Sequence, residues 1–185
     1  MRKHIHIHIG ECRASREPAV LHTILGSCVA VCLFDSVRRI GGMNHILLPG
    51  KADLKKFDVS ARYGVNAMEI LINEMMKLGA ARKDFIAKAF GGAHMIPSIS
   101  RDNGVGRKIA SFVLEFLRNE HIRIVSSDLG GVESRKILFY TDTGEVFLKR
   151  VPSGYVSRLA QREQAESARI RQESQQAGDI TLFDK

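Results

Sequence analysis

The chain has 185 residues, of which 44% are hydrophobic and 26% charged, and three are cysteines. This length suits one well-buried domain, and no apolar run approaches the roughly 20 residues that span a bilayer. The N-terminus lacks the continuous apolar segment of a secretory signal, and three cysteines do not suggest a disulfide scaffold. We therefore expect a cytoplasmic protein that is not embedded in a membrane.

The basic charge raises the question of nucleic-acid binding, because the formal net charge is +8 and basic patches attract phosphates. The basic residues are scattered, however, and 6% of the residues are aromatic, with no tryptophan on which a base could stack. These features argue against a nucleic-acid partner. A basic surface suits an acidic protein partner equally well.

The first third of the chain is predicted to be rich in strands. Residues 4–10 alternate His and Ile, which indicates a strand with one buried face. Residues 29–34 are apolar throughout, as in a central strand covered on both sides. Residues 35–42 end in two glycines and predict a hairpin connection, after which residues 43–48 return antiparallel. Pro49 and Gly50 stop that strand.

Two helices are predicted in the middle of the chain. After a charged loop at residues 51–58, the first begins at Asp58 or Ser60 and ends at Gly79. Its apolar stripe consists of Val65, Met68, Ile72, Met75 and Met76, with Leu71 beside it. The second covers residues 105–120 and is capped by Asp102 or Asn103. Its inward side chains are expected to be Ile109, Phe112, Val113 and Phe116.

Strands are predicted at residues 85–90, with a loop at 91–95, and again at 122–126, 136–141 and 145–151. The sequence Asp-Thr-Gly at residues 142–144 is a strong hairpin signal. This order lacks regular strand–helix alternation, so an α+β layered sandwich with helices on one side of the strands fits best. We expect one domain over residues 1–155 and a polar tail over 156–185, helical or disordered.

A cysteine at the entrance of a strand is the first candidate for chemistry. Cys28 follows a Gly26-Ser27 bend, where backbone N–H groups can converge to stabilise an oxyanion. A thiolate is the reactive form of cysteine, and a nearby histidine can remove its proton. The alternative is a small buried hydrophobe, which fits Cys32 well.

A histidine on the returning strand is the second candidate. Hairpin pairing sets residues near 28 opposite residues 47 to 49, so Cys28 and His45 lie within a few positions in register. A slip of one residue would put them on opposite faces, and a lone histidine is often structural. A base would need a polar residue to fix its tautomer, for which Thr23 and His22 are the candidates.

A zinc site is a weaker possibility. His4, His6 and His8 share one strand face and could bind zinc together with Cys12. They lie on one short edge, however, without a second group of ligands, so a solvated strand face is favoured over a metal site.

The motifs resemble a known family. The sequences Leu-Gly-Ser-Cys-Val-Ala-Val-Cys at residues 25–32 and Gly-Gly-Met-Asn-His-Ile-Leu-Leu-Pro at 41–49 closely resemble CheD, the chemoreceptor glutamine deamidase family. Residues 10–11, 90–93, 128–131 and 142–144 also resemble it. The resemblance covers roughly residues 5 to 151.

The resemblance implies an α/β/β layered fold and a cysteine-dependent amidohydrolase that acts on glutamines of methyl-accepting chemotaxis receptors, without a metal or organic cofactor. It also implies a link to the phosphatase CheC in some bacteria. Cys28 would be the nucleophile and His45 the general base, with Thr23 preferred over His22 as the orienting residue. The backbone of Gly26 and Ser27 would hold the oxyanion. The alternative is a non-catalytic module that binds receptors or CheC.

Overall fold

The computed structural model describes residues 2–48, 64–95 and 104–151, with positions 161, 165, 166, 168, 169 and 172 beyond them. The predicted strand stop at residues 49–50, the loop at 51–58, the proposed N-caps of the first helix and most of the tail lie outside the described residues. The predicted N-cap of the second helix at Asp102 or Asn103 is wrong, because Gly104 occupies that position. None of the helices in the described part is long and apolar enough to cross a membrane.

Nine strands and two helices form the described part of the fold. In chain order, the elements are β1 (Lys3–His6), β2 (Cys12–Ser15), β3 (Ala19–Leu25), β4 (Val29–Asp35), β5 (Ile40–Asn44), α1 (Gly64–Lys77), β6 (Phe85–Gly91), α2 (Val105–Asn119), β7 (Arg123–Leu129), β8 (Arg135–Tyr140) and β9 (Val146–Arg150). One sheet has the order β1-β3-β8-β9 and the other β2-β5-β4-β6-β7. Each sheet contains parallel and antiparallel pairs.

Two apolar cores separate three layers. The first joins the helices to the five-stranded sheet and includes Leu33, Met68 and Val113. The second lies between the two sheets and includes Leu21 and Phe139. Alternate residues of β4 enter the two cores, so all seven of its residues are buried. The expected α+β sandwich, with helices on one side of the strands in α/β/β order, is confirmed.

The helices follow their apolar periodicity. Helix α1 buries Met68, Leu71, Ile72 and Met75, and the chain leaves it at Gly79 with φ of +99°, a left-handed conformation that glycine adopts without strain. Met76 was expected in the stripe, but 46% of it is exposed, because it lies past the edge of the buried face. Helix α2 ends at Asn119, one residue before the predicted end.

Two strand predictions in the first third are wrong in their bounds. Strand β1 ends at His6 rather than at residue 10. The glycines expected in the hairpin connection lie inside β5 instead. Close packing explains this: a Cβ on Gly41 would lie 2.7 Å from the Thr141 carbonyl oxygen, and one on Gly42 would lie 2.7 Å from the Leu71 side chain. Glycine is needed here for contact between layers, not for a turn.

Candidate functional site

A three-residue bend carries the chain from one sheet to the other. Strand β3 belongs to the four-stranded sheet and ends at Leu25, whereas β4 belongs to the five-stranded sheet and begins at Val29. Cys28 is the last residue of the bend, as the sequence predicted. Its position therefore places it where the two sheets come together.

The pairing of β4 with β5 determines which residues face Cys28. Cys32 pairs with Met43, and the same register continues at an isolated bridge between Val29 and Ile46. At that bridge the Val29 N–H donates to the Ile46 carbonyl at 3.0 Å, and the Ile46 N–H donates back at 2.7 Å. Extended by one residue, this register sets position 28 opposite position 47, within the range predicted from the hairpin.

Because side chains alternate along a strand, the register then shows which face of the five-stranded sheet each residue occupies. Val29 and Ile46 belong to the core against the helices, whereas Cys28 belongs to the core between the sheets. His45 contacts Thr23 of the four-stranded sheet and the carbonyl of Ile7, which follows β1, so it faces the same inter-sheet space. Cys28 and His45 are thus diagonal neighbours on one face, a relationship in which Cα atoms lie about 7–8 Å apart.

Thr23 fixes the proton on His45. The Thr23 hydroxyl donates to the Ile7 carbonyl at 2.8 Å, and its Oγ1 lies 3.0 Å from His45 Nδ1. The Ile7 carbonyl oxygen also lies 3.3 Å from that nitrogen. A carbonyl can only accept, and the hydroxyl has already donated its hydrogen, so Nδ1 must carry the proton. The lone pair of the neutral ring is then on Nε2.

The other ring nitrogen of His45, Nε2, is buried. Among the residues that the structure describes, His45 Nε2 has no hydrogen-bond partner. Burial lowers the pKa of His45 to about 4, with smaller lowering effects from His6 and His8, while the Ile7 carbonyl and Glu11 raise it. The ring is therefore neutral near pH 7, with a basic nitrogen available to a neighbouring acid.

The structure separates the two candidates for orienting His45. Thr23 and His22 are adjacent on β3 and so point to opposite faces of the sheet. Thr23 is buried against His45, whereas His22 lies on the outer face in contact with His6. The geometry joins Thr23, and not His22, to the imidazole.

The backbone at residues 91–93 holds the bend before β4 in place. The Gly92 N–H donates to the Cys28 carbonyl and the Ala93 N–H donates to the Gly26 carbonyl, each at 2.8 Å. Gly91 has φ of +113°, and a Cβ there would lie 2.1 Å from the Cys28 carbonyl oxygen. The sequence analysis assigned residues 91–95 only to a loop. Two consecutive glycines after a buried strand were the signal that this backbone approaches another closely.

Asn44 is a positioning residue that the sequence analysis missed. Its Oδ1 accepts from the Val31 N–H at 2.9 Å, and its Nδ2 donates to the Ala67 carbonyl at 3.2 Å. The side chain thus takes the place of a ladder bond between β4 and β5 and ties both strands to α1. Strand β5 ends at this residue, and His45 bonds instead to the Glu11 carbonyl through its N–H at 3.0 Å. Asn44 therefore sets the point at which His45 leaves the strand.

The candidate residues form a buried cluster and not an open cleft. Cys28 is 0% exposed and His45 is 3% exposed. A surface groove of about 420 Å³ lies elsewhere, lined by Leu114, Ser127, Asp128, Leu129, Gly130, Gly131, Val132, Glu133 and Arg150. A substrate can reach the sulfur of Cys28 only after neighbouring atoms move.

The other two cysteines, Cys12 and Cys32, do not belong to the candidate site. Cys32 is buried within β4, and burial raises its pKa, which matches the expectation of a packing residue. Cys12 lies in the five-stranded sheet opposite Asn44, whereas β1 with His4 and His6 lies in the other sheet. In the described part of the chain, no three His, Cys, Asp or Glu side chains are grouped to hold a metal ion. The zinc arrangement that included Cys12 is therefore wrong.

Comparison with known proteins shows to which family the chain belongs. The family model described as CheD chemotactic sensory transduction matches residues 47–150. The "Probable chemoreceptor glutamine deamidase CheD" of Stenotrophomonas maltophilia is 46% identical over 169 residues, which cover 91% of this chain and 83% of that protein. The chain belongs to the CheD family. The resemblance found in the sequence motifs is confirmed.

Further CheD relatives cover nearly the whole chain. The "Probable chemoreceptor glutamine deamidase CheD 1" of Shewanella oneidensis is 42% identical over 176 residues, covering 94% of this chain and 84% of the relative. The corresponding protein of Methylobacillus flagellatus is 40% identical over 177 residues, covering 94% and 86%. The family model begins at residue 47, so the similarity of residues before that position rests on these longer matches.

The lowered pKa of His45 predicts a loss of stability in mild acid. The unfolded chain takes up a proton on this residue near its ordinary pKa of 6.5, whereas the folded protein resists until about pH 4. The contribution of the neutral ring to the free energy of unfolding is therefore fully present above pH 6.5, and it is lost as the pH falls from there towards 4. Thermal unfolding of the parent and of His45→Gln between pH 7 and pH 4.5 measures this, and the variant should show the smaller decline.

The matched control is His121→Asn, at an exposed residue with φ of +55° that asparagine tolerates. This variant should decline as steeply as the parent. Equal declines in the parent and in His45→Gln would show that His45 does not titrate in this window.

Removal of the Asn44 side chain should destabilise the fold. Asn44→Ala leaves the buried Val31 N–H without its acceptor, which costs about 1–3 kcal/mol in the free energy of unfolding. Urea denaturation measures the change. Asn119→Ala, at an exposed helix terminus, is the control and should change stability by less than about 0.5 kcal/mol. An Asn44→Ala protein as stable as the parent would contradict the bridging role.

Proposed function

We propose that this protein deamidates specific glutamines of methyl-accepting chemotaxis receptors, converting them to glutamates. Relatives 40–46% identical over more than 90% of the chain are named as chemoreceptor glutamine deamidases. The observation that carries the proposal is the contact between Thr23 and His45, which leaves a buried basic nitrogen on the face that Cys28 shares.

In the proposed first step, Cys28 is the nucleophile and His45 the general base. The neutral ring takes the thiol proton on Nε2, and the resulting thiolate attacks the carboxamide carbon of the glutamine. Thr23 and the Ile7 carbonyl stabilise the imidazolium, because both lie within reach of the proton on Nδ1. A low pKa for the free ring makes His45⁺ a strong acid for the next step.

The second half of the reaction releases ammonia and then the product. The tetrahedral oxyanion is stabilised by the backbone of Gly26, Ser27 and Cys28, which the Gly92 and Ala93 N–H groups hold in place. His45 donates its proton to the leaving nitrogen, so ammonia departs and a thioester remains on Cys28. His45 then takes a proton from water, whose oxygen attacks the thioester carbon. The C–S bond breaks, the product glutamate is released, and His45 returns its proton to the Cys28 thiolate, which restores the thiol and the neutral base.

Access to the sulfur is part of this proposal. Cys28 and His45 are buried, so the receptor must open the site as it docks and insert the glutamine side chain between the sheets. Exclusion of bulk water then favours the thioester over side reactions and strengthens the contacts to the developing oxyanion.

The proposal also covers the partners and the domain. The net charge of +8 speeds association with an acidic receptor surface, and we assign the protein to the cytoplasm. CheC phosphatase is a further proposed partner in bacteria that have one. Residues 1–155 form the deamidase domain in this proposal, and residues 156–185 form a polar tail.

The test is deamidation of a receptor fragment by Cys28→Ala and its parent. Mass spectrometry of receptor peptides detects the change from Gln to Glu, and released ammonia gives the rate. Loss of the nucleophile should lower the rate by at least roughly a thousandfold. Cys32→Ala is the control, because Cys32 lies on the same strand face but deeper in the core, and it should retain activity.

Two outcomes would contradict the proposal. The first is deamidation by Cys28→Ala as fast as by the parent, which would make another group the nucleophile. The second is binding of the receptor fragment by the parent without any conversion of Gln to Glu, which is the behaviour of the non-catalytic interaction module.

A further inference from the structure

Four histidines gather on the outer face of the four-stranded sheet, away from the catalytic candidates. Strands β1 and β3 pair in parallel with His6 opposite His22. The ring centroids of His6 and His22 are 5.1 Å apart, those of His6 and His8 4.5 Å, and those of His4 and His22 6.3 Å. We call these four residues the histidine cluster. The sequence indicated three of them, and the fold adds His22.

One pair within the histidine cluster has the spacing of metal ligands. The Nδ1 atoms of His6 and His22 lie 3.4 Å apart. Imidazole nitrogens bind zinc at about 2.0–2.1 Å in tetrahedral geometry, so two such ligands lie roughly 3.3–3.4 Å from one another. The backbone pairing of β1 with β3 has therefore already brought two nitrogens to the separation that a tetrahedral ion requires.

Further ligands are within side-chain reach. His4 and His8 are exposed, and their rings adjoin those of His22 and His6 respectively. A change of rotamer, which costs little at an exposed residue, can turn either ring towards the pair. The described residues hold no ready group of three ligands, so a third ligand must come from such a rotation and water must complete the shell.

We propose that His6 and His22 bind a zinc ion on the outer face of the four-stranded sheet, with His4 or His8 as the third ligand. Imidazole is a preferred ligand of zinc and of the neighbouring transition metals. Neutral rings are the binding form, so the ion displaces the proton that one ring otherwise donates to the other. The site is structural, because Cys28 and His45 lie on the opposite side of this sheet.

The ion would hold together the strands that orient His45. Ile7 follows His6 directly, and its N–H donates to the His22 carbonyl at 2.9 Å. Its carbonyl accepts from Thr23 and lies against His45 Nδ1. A zinc bridge between His6 and His22 therefore restrains the end of the edge strand β1, directly before Ile7, whose carbonyl fixes the tautomer of His45.

The test is titration of the full chain, kept reduced, with zinc chloride. We expect one ion to bind per chain and the imidazole NMR signals of His6 and His22 to shift. His6→Gln and His22→Gln should each lower the affinity at least tenfold, and His4→Gln should lower it less. His121→Asn is the control and should bind zinc as the parent does. Bound zinc should also slow hydrogen exchange of the Ile7 N–H at least tenfold.

Three results would overturn the inference. The first is no saturable binding of zinc. The second is binding that His6→Gln and His22→Gln leave unchanged, which would place the ion on the cysteines or elsewhere. The third, with zinc bound at the histidine cluster, is unchanged exchange at Ile7, which would remove the link between the two strands. Because His4 and His6 are exposed, variants at these positions should fold, and circular dichroism checks this.

Discussion

The Ile7 carbonyl determines the chemical state of the candidate base. This oxygen accepts the Thr23 hydroxyl hydrogen and lies against His45 Nδ1, so both polar groups around that nitrogen favour a proton on it. Burial then opposes a second proton and lowers the pKa of His45 to about 4. The result is a neutral imidazole with a lone pair on the opposite nitrogen, held by the carbonyl of the residue that follows β1 and by a side chain from β3.

This arrangement depends on two sheets that meet at a bend of three residues. The four-stranded sheet supplies Thr23, and the five-stranded sheet positions Cys28 and His45 on either side of the Val29–Ile46 bridge. The backbone at residues 91–93 holds the bend from one side, and Asn44 ties the end of β5 to α1. The layered fold is thus the means by which residues from distant parts of the chain share one buried space.

The sequence was sufficient for the features that follow from local patterns. Apolar periodicity gave both helices, and the glycines before His45 indicated the antiparallel return that sets residue 28 opposite residue 47. The residue pattern alone left Thr23 and His22 as alternatives, because a shift of one residue along a strand reverses the face and no local pattern fixes that register. The preference for Thr23 came with the family resemblance. Every residue has a backbone carbonyl, so the residue type at position 7 does not reveal the contact that the Ile7 carbonyl makes.

Other features were hidden by long-range packing. Strand β3 ends at Leu25 and β4 begins at Val29. The Gly-Ser bend between them is visible in the sequence, but no residue type there shows that the chain passes from one sheet to the other. Asn44 bonds to helix α1 across 23 positions, a contact that its neighbours in sequence do not suggest. The complete burial of Cys28 likewise depends on how the layers pack around it, which a strand-entrance motif does not determine.

The protonation state of His45 tests the central claim most directly. Nitrogen-15 NMR of the imidazole at pH 7 distinguishes a proton on Nδ1, a proton on Nε2 and a doubly protonated ring. The account predicts a neutral ring with its proton on Nδ1. A proton on Nε2, or a charged ring at that pH, would contradict it, because no lone pair would then be available to accept a proton from Cys28.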